Sequence, residues 1–322
     1  MTTKEKLLEL FESNKGIYFS GEEIAGKLCV SRAAVWKAVK NLRSEGYEID
    51  AVTNKGYCLS AKTDILSAQG IVKYLNPQYK NMDIYVLDSI DSTNALVRKK
   101  AEEGEIEGYT VVANEQTKGR GRYGRTFFSP QGTGFYLSIL LRPPHYSAGQ
   151  AVRITTMAAV AMCEAIEEVS EEEARIKWVN DIYVKGKKVC GILTEASFGL
   201  ESGLLEYAVL GVGLNVYHPA EGFPEEIKQR AGNLFDNTQN DIKNRLVSSF
   251  LNNFMEYYVS ENPAAYIEKY QERSLVIGKQ IKVISAGKTK DAFAYGIDDE
   301  CRLLVRYENG ETESLSHGEI DL

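Results

Sequence analysis

Lys118-Gly119-Arg120-Gly121-Arg122-Tyr123-Gly124-Arg125 places four cations and three glycines in eight residues, with no acid among them. Glycines let backbone amides come close to a ligand, and guanidinium groups offer forked donors that match phosphate and carboxylate. Like charges repel, so such a loop is costly to order alone. It is expected to be mobile when empty and ordered by a polyanionic ligand. Its spacing is not the G-x-x-x-x-G-K-[ST] of a phosphate-binding loop, and it lacks the strand-to-helix setting of a dinucleotide fingerprint. By composition alone, an RGG-like nucleic-acid loop is the alternative.

The elements on either side of the loop predict a mixed sheet with helices on one side, because they are not regular βαβ repeats. Strands are expected at Met82–Leu87, Tyr109–Gln116, Phe135–Leu141, Arg175–Val179, Lys188–Glu195 and Leu205–Val216, and helices at Ser92–Glu103 and Gln150–Val169. Asp88-Ser89-Ile90-Asp91-Ser92-Thr93-Asn94 sets small hydrogen-bonding side chains at a helix N-terminus, where free amides also point outward. Alone, that is an ordinary cap. Lys177-Trp178-Val179-Asn180-Asp181 ends a strand and leads through Ile182–Val184 and the Lys185-Gly186 turn into a hairpin. Asn180 and Asp181 need partners if buried, although a turn signal also explains them.

The N-terminal residues carry a different pattern. Leu7, Leu8 and Phe11 share one face of a helix over Lys4–Ser13, and Ser20-Gly21-Glu22-Glu23 reads as a capping box. After a break at Cys29-Val30, Ser31 caps a third helix with Val35, Val39 and Leu42 at i, i+4, i+7. Two strand-like runs then flank the turn Asn54-Lys55-Gly56. Helix, helix, basic helix, hairpin is a winged helix-turn-helix, whose third helix enters the major groove of DNA. Ser31, Arg32 and Lys37 are expected to face DNA, and Lys55 on the wing to meet a phosphate. The alternatives are a winged helix used for protein contacts and a solvated charged face. Trp36 is expected to pack in or at the edge of the core.

Composition narrows the classes. The 322 residues are 43% hydrophobic and 26% charged, with net charge −7, which suits a globular chain of two or three domains. Residues 1–62 hold ten Lys/Arg against eight Asp/Glu, so the acidity lies elsewhere and the first module carries a local basic face. No apolar run approaches the roughly 18 residues of a membrane helix, and the charged amphipathic start is unlike a signal peptide; a cytoplasmic location with no membrane partner is expected. Five scattered cysteines without a C-x-x-C pair argue against disulfides and structural zinc, and predict reduced, buried or semi-buried thiols. His145, His218 and His317 are far apart in sequence, so a His-rich metal site is not expected.

Toward the C-terminus, Asp241–Ser260 and Pro263–Glu272 read as helices. Short strands follow at Gln280–Ser285, Asp291–Ile297, Arg302–Tyr307 and Glu311–Leu315, joined at Ala286-Gly287, Asp298-Asp299-Glu300 and Glu308-Asn309-Gly310. A small β-barrel is expected there.

Taken in order, several motifs resemble those of biotin protein ligases. They are Ser92-Thr93-Asn94; Gln116; Gly119-Arg120-Gly121-Arg122 with Gly124-Arg125; Lys177-Trp178-Val179-Asn180-Asp181; Lys188 before Gly191; and Gly211-Val212-Gly213-Leu214-Asn215. With the winged helix in front, the chain resembles the bifunctional form, a ligase that also represses biotin genes. The resemblance implies an α+β protein with three domains: a winged helix-turn-helix (1–62), a class II synthetase-like catalytic domain (63–274) and a small β-barrel (275–322).

It implies biotin contacts from Ser92, Thr93, Asn94, Gln116, Arg120, Gly121, Arg122 and Lys188, and adenylate or ATP contacts from Arg122, Arg125, Phe127, Asn180 and Asn215. Catalytic roles fall to Arg120, Lys188 and Asp181. The implied reaction joins biotin to ATP, with Mg2+, as biotinoyl-5'-AMP and passes it to a lysine of a biotin carboxyl carrier domain. Operator DNA and a homodimer promoted by biotinoyl-AMP are the other implied partners. Two departures stand out. Val179 replaces the family's usual proline, so the strand is expected to continue there. A phenylalanine (Phe127 or Phe128) replaces the tryptophan that packs on adenine. A ligand-sensing transcription factor without ligase activity, and a lipoate ligase, are the alternative readings.

Overall fold

The computed structural model describes residues 1–143, 146–199, 201–260, 262, 264–285 and 288–321. His145, Pro263 and the expected turn at Ala286-Gly287 lie outside them. The chain groups into two compact units, one of residues 1–81 and 237–248, the other of residues 82–236 and 249 onward.

In the first unit, α1 (Thr3–Glu12) begins at a capping box between Thr2 and Glu5, and α2 (Gly21–Leu28) at the expected one. Ser20 Oγ accepts from the Glu23 amide at 3.1 Å, and the Ser20 amide donates to the Glu23 carboxylate at 2.7 Å. Such a cap stabilises a helix by about 1 kcal/mol. Cys29 turns the chain in the left-handed region, and Ser31 caps α3 (Arg32–Ser44). Val35, Val39 and Leu42 pack onto Leu7, Phe11 and Ile24, as the i, i+4, i+7 spacing requires. Trp36 does not join them. It is 58% exposed, because it lies about 100° around the helix from Val35 and the core is already filled by Phe11, Tyr47 and their neighbours. β1 (Ile49–Val52) and β2 (Gly56–Leu59) pair antiparallel as the wing, with Asn54 and Gly56 at positive φ in its turn. A short helix, α4 (Ala68–Val72), follows.

This unit holds a buried ionic cluster. Glu12 Oε2 lies 2.9 Å from Lys73 Nζ and 3.2 Å from Lys15 Nζ. Asp241 contacts the same two ammonium groups, at 3.0 Å from Lys15 and 2.5 Å from Lys73. It also accepts from the Tyr74 hydroxyl and the Asn244 amide, each at 2.8 Å. Burial alone would raise the pKa of Asp241, but hydrogen bonds from Asn244 and Lys73 outweigh it and hold the carboxyl below its ordinary value of 3.8. Burial alone would lower that of Lys73, and its bonds to Asp241 and Glu12 raise it above 10.5 instead. Asp241, depressed, contributes stability fully above pH 3.8 and loses it as pH falls through its lowered value. Lys73, raised, contributes fully below pH 10.5 and loses it as pH rises through its raised value. Thermal unfolding of the full chain and of Asp241→Asn should therefore differ by a constant margin between about pH 5 and pH 9. That margin should shrink in acid, where the parent's carboxyl is also neutral; a margin independent of pH down to 2 contradicts the account.

The second unit is built on a seven-stranded sheet. Its strands are β3 (Ile84–Leu87), β4 (Thr110–Ala113), β5 (Gly134–Leu141), β6 (Ala174–Lys177), β7 (Asp181–Val184), β8 (Lys187–Phe198) and β9 (Leu205–Asn215), in the order β3-β4-β5-β9-β8-β7-β6. Only β3 and β4 are parallel, so the sheet is mixed. α5 (Thr93–Glu102) packs on β4, β5 and β9, and α6 (Ala151–Ser170) on β6 to β9, with Ala158, Ala161 and Ala165 fully buried. The chain does not run straight through Val179, as expected for a strand freed of proline. Residues 178–180 form a turn, because Lys177 and Asp181 pair across it as ends of the antiparallel β6–β7 hairpin.

α7 (Glu225–Lys228) is a single turn. α8 (Ile242–Val259) begins in the first unit and ends in the second, and α9 (Ala264–Glu272) follows it. Five antiparallel strands complete the second unit: β10 (Lys279–Ser285), β11 (Lys288–Ile297), β12 (Leu303–Tyr307), β13 (Thr312–Leu315) and β14 (Glu319–Asp321), in the order β13-β12-β11-β10-β14. The sequence reading found four of them; β14, three residues long, carries too little pattern to be seen. All five cysteines are free thiols, four buried and Cys29 exposed. No helix among the described residues is long and apolar enough to cross a membrane.

Candidate active site

A cavity of about 370 Å3 opens on the seven-stranded sheet of the second unit. Its size suits a small organic ligand. Every residue that the sequence reading assigned to biotin, nucleotide or catalysis lines it: Ser92, Thr93, Asn94, Gln116, Arg120, Gly121, Arg122, Arg125, Phe127, Asn180, Asp181, Lys188 and Asn215.

The first cluster lines the cavity with hydroxyl and amide side chains. Ser92 caps α5, its Oγ accepting from the Ala95 amide at 3.4 Å, so Thr93 and Asn94 sit on the first turn. The Thr93 amide and hydroxyl both donate to Gln116 Oε1, at 2.9 and 3.1 Å. Ser138 Oγ lies 2.7 Å from Thr93 Oγ1 and 2.6 Å from Asn94 Oδ1. Asn94 in turn donates to the Leu193 carbonyl and, at 2.8 Å, to Glu195. Ser138 and Glu195 went unnamed in the sequence reading. The available signal was a polar residue in the apolar run Phe135–Leu141, and an acid ending an apolar strand.

Two glycines on β9 make room for these side chains. A Cβ on Gly211 would lie 2.1 Å from Asn94 Oδ1, and one on Gly213 would lie 2.4 Å from Phe127 Cε1. Phe127 also lies close over Gly191 and meets Tyr136 edge-on. Phe128 lines the same cavity and packs instead on Phe223.

The second cluster is charged. Lys188 Nζ lies 2.6 Å from Asp181 Oδ1, as an ion pair rather than an aligned hydrogen bond. Arg122 donates to Asn180 Oδ1 at 3.1 Å, and Asn180 donates to the Ile192 carbonyl at 2.9 Å. Arg125 forms a forked pair with Glu319 of β14, two bonds of 2.7 Å. That pair raises the pKa of Arg125 and lowers that of Glu319. Arg120 is held loosely, 3.9 Å from Glu195, and Lys118 pairs with Asp91 outside the cavity. Asn215 donates to the Gly232 carbonyl at 3.0 Å.

The loop itself is closed by backbone bonds from Gly121 to Arg125 and from Phe127 to Gly119. Tyr123 takes a positive φ of 56°, and its ring lies under the Arg122 guanidinium. Each cation that would repel its neighbours thus has a partner elsewhere in the second unit. Among the described residues no group of three or more His, Cys, Asp or Glu is placed to hold a metal.

In the first unit, Ser31, Arg32, Lys37 and Lys55 are all exposed. Lys55 sits over the Tyr18 ring, 5.8 Å from its centre. Arg43, also in the basic segment, turns away to donate to the Ile49 carbonyl.

A winged helix joined to a mixed-sheet domain, with hydroxyl and amide donors beside a basic loop in one cavity, defines a DNA-binding type of acid ligase. The Biotin/lipoate A/B protein ligase family profile matches residues 86–215, an HTH domain matches 3–58, and the biotin protein ligase C terminal domain matches 276–322. The chain is 33% identical to bifunctional ligase/repressor BirA of Bacillus subtilis (strain 168) over 96% of its own length and 95% of that protein's. It is 30% identical to the protein of the same name from Escherichia coli (strain K12), over 100% and 97%. Among solved structures it resembles biotin protein ligase from Aquifex aeolicus in complex with biotin and ATP. The TM-score is 0.61 at 26% identity, covering 74% of this chain and 97% of that one. The chain belongs to the biotin protein ligase family, with the domain order of its bifunctional ligase/repressor members.

Proposed function

We propose that this chain activates biotin with ATP to biotinoyl-5'-AMP, transfers it to a lysine of a biotin carboxyl carrier domain, and represses biotin genes when the adenylate is bound. The observation that carries the reading is the single cavity in which an uncharged hydrogen-bonding cluster meets a cationic one. Biotin has the same two halves, a neutral ureido ring and a carboxylate.

A carboxylate is a poor electrophile at neutral pH, so joining it to an amine requires activation. Thr93, Asn94 and Gln116 bind the ureido head. Arg120, Arg122 and Lys188 screen the negative charge that gathers when the carboxylate attacks the α-phosphate. A carboxylate oxygen bonds to the α-phosphorus as the bond from that phosphorus to the oxygen bridging it to the β-phosphorus breaks, and pyrophosphate leaves with that oxygen and the electron pair. Magnesium would come with the substrate triphosphate and would supply charge neutralisation there, since no cluster of described residues is placed to hold it. Asn180, Asn215 and Arg125 hold the nucleotide side, with Phe127 as the aromatic for adenine. Asp181, paired with Lys188, orients the incoming lysine amine; Asp181→Asn is expected to slow transfer more than adenylation. The closed loop keeps water from the anhydride until that amine arrives.

Incorporation of labelled biotin into a purified carrier domain tests the reading. Label in the carrier only when ATP is present supports it; lipoate used in preference to biotin, or no incorporation, overturns it. By adding contacts to residues 118–125, a bound adenylate tightens the loop further and lowers the entropy cost of forming an interface, so the chain dimerises when the adenylate is bound and then holds operator DNA. Sedimentation velocity should show the dimer fraction rising on addition of biotin and ATP; an unchanged distribution contradicts this step. Acting on a carrier domain and on operator DNA, the chain works in the cytoplasm on this reading.

A further inference from the structure

The core of the first unit does not use Trp36. Its indole is 58% exposed on α3, while Val35, Ala38, Val39 and Leu42 bury the other side of the same helix. Around it on the exposed side stand Arg32, Ala33, Lys37 and Lys40, and residues 31–44 contain no acid. Lys40 Nζ lies 5.5 Å from the centre of the indole, so the ring is flanked by cations and held against one of them. An exposed indole is costly in water. Set in a cationic face of a winged helix, it suits one occupant above others, a polyanion that also offers apolar, stackable surface.

We infer that Trp36 reads operator DNA directly, its indole meeting base edges such as a thymine methyl group in the major groove, while Arg32, Lys37 and Lys40 hold phosphates beside it. This rests on the operator-binding reading above. Charge complementarity selects the duplex, because the cations of the acid-free segment 31–44 attract phosphates at any sequence. The indole selects among sequences, because phosphate contacts position a protein and base contacts specify. Ala33, about one turn before Lys37, presents only a methyl group, so the helix is free to approach the groove closely. Trp36 follows Arg32 by one turn, within the N-terminal half of α3, the part of such a helix that reaches base edges.

The two kinds of contact have different signatures. The test uses the full chain with biotin and ATP, a duplex that it enriches from a randomised pool, and a random-sequence duplex. Trp36→Ala is expected to weaken binding to the enriched duplex by about 10- to 100-fold, the scale of one apolar or stacking base contact. It should change random-duplex binding less than about twofold and leave the slope of log affinity against log salt unaltered. Lys40→Ala should weaken both duplexes alike and reduce that slope by about one. Trp36→Phe should restore part of the preference. Indole emission, corrected with Trp36→Phe for the buried Trp178, should change on the enriched duplex and stay constant on the random one.

Trp36→Ala binding the enriched duplex as well as the parent overturns the inference, whatever its cause, including an indole that serves a protein contact. Equal losses on both duplexes overturn it as well. A parent chain that enriches no sequence overturns operator binding itself, and is told apart because the parent rather than the variant fails. Biotin incorporation into a carrier domain serves as the folding control, since Trp36 lies in the other unit from the cavity and its loss should leave that activity unchanged.

Discussion

Replacing Lys188 with Gln is expected to slow adenylate formation by about 10²- to 10³-fold, the usual cost of deleting one charge-stabilising donor at a reacting centre. Lys188 is the cation closest to Asp181, at 2.6 Å, and both line the cavity beside Arg122. Gln, one bond shorter, keeps an N–H donor but not the charge, so the Asp181 carboxylate faces the incoming phosphates without this counter-ion. Two negative groups then meet where one was neutralised. The loss should fall on turnover more than on the Michaelis constant for biotin, as for an interaction made mainly in the transition state. ATP–pyrophosphate exchange measures this step without the carrier domain. An exchange rate within a factor of three of the parent's removes Lys188 from the chemistry. The double variant Arg120→Ala, Arg122→Ala should in addition shorten adenylate retention, which filtration of the labelled complex would read.

The second large effect belongs to the first unit, which contributes no residue to the cavity. Asp241→Ala should destabilise the first unit by about 3–5 kcal/mol, because it leaves buried ammonium groups on Lys15 and Lys73 with half their compensation. The side chains of Lys15, Lys73 and Asp241 are 11%, 15% and 7% exposed, so water cannot take over the lost role. The aspartate also receives bonds from Tyr74 and Asn244, which the substitution removes. Urea unfolding of the full chain should show a winged-helix transition moved to lower denaturant, with operator binding weakened to match. Biotin incorporation at low denaturant should survive, since the cavity draws none of its residues from this unit. A transition at the parent's midpoint would show that the cluster contributes nothing net.

Particular elements show where a linear reading succeeds. The Ser20–Glu23 box, the Ser31 cap and the buried face of α3 were all legible, because each depends on residues three or four apart along one helix. The strands of the mixed sheet were legible from apolar runs bounded by turns, whereas β14 was too short to show one. The cavity residues were legible through their motifs, although the resemblance rather than any periodicity assigned their roles. Trp36 was misplaced because an aromatic beside a buried valine reads as core until the helical rotation and the competing side chains are known. The turn at residues 178–180 was misread as strand, because apolar Trp178 and Val179 give no sign that Lys177 pairs back onto Asp181.

What the chain determined by itself is the set of local devices: helix starts, the basic helix, the glycine-arginine loop, and the order of its modules. These follow from hydrogen bonds and side-chain spacing within one or two turns of backbone. Only the tertiary structure decided who meets whom. Arg125 reaches Glu319 across 194 positions, and Asn94 reaches Glu195 across 101. Asp241 closes on Tyr74 across 167. Distance along a chain carries no information about distance in space until strands pair and helices pack. That pairing depends on burying apolar faces together, and the charged side chains take the partners which the packed backbone then brings within reach.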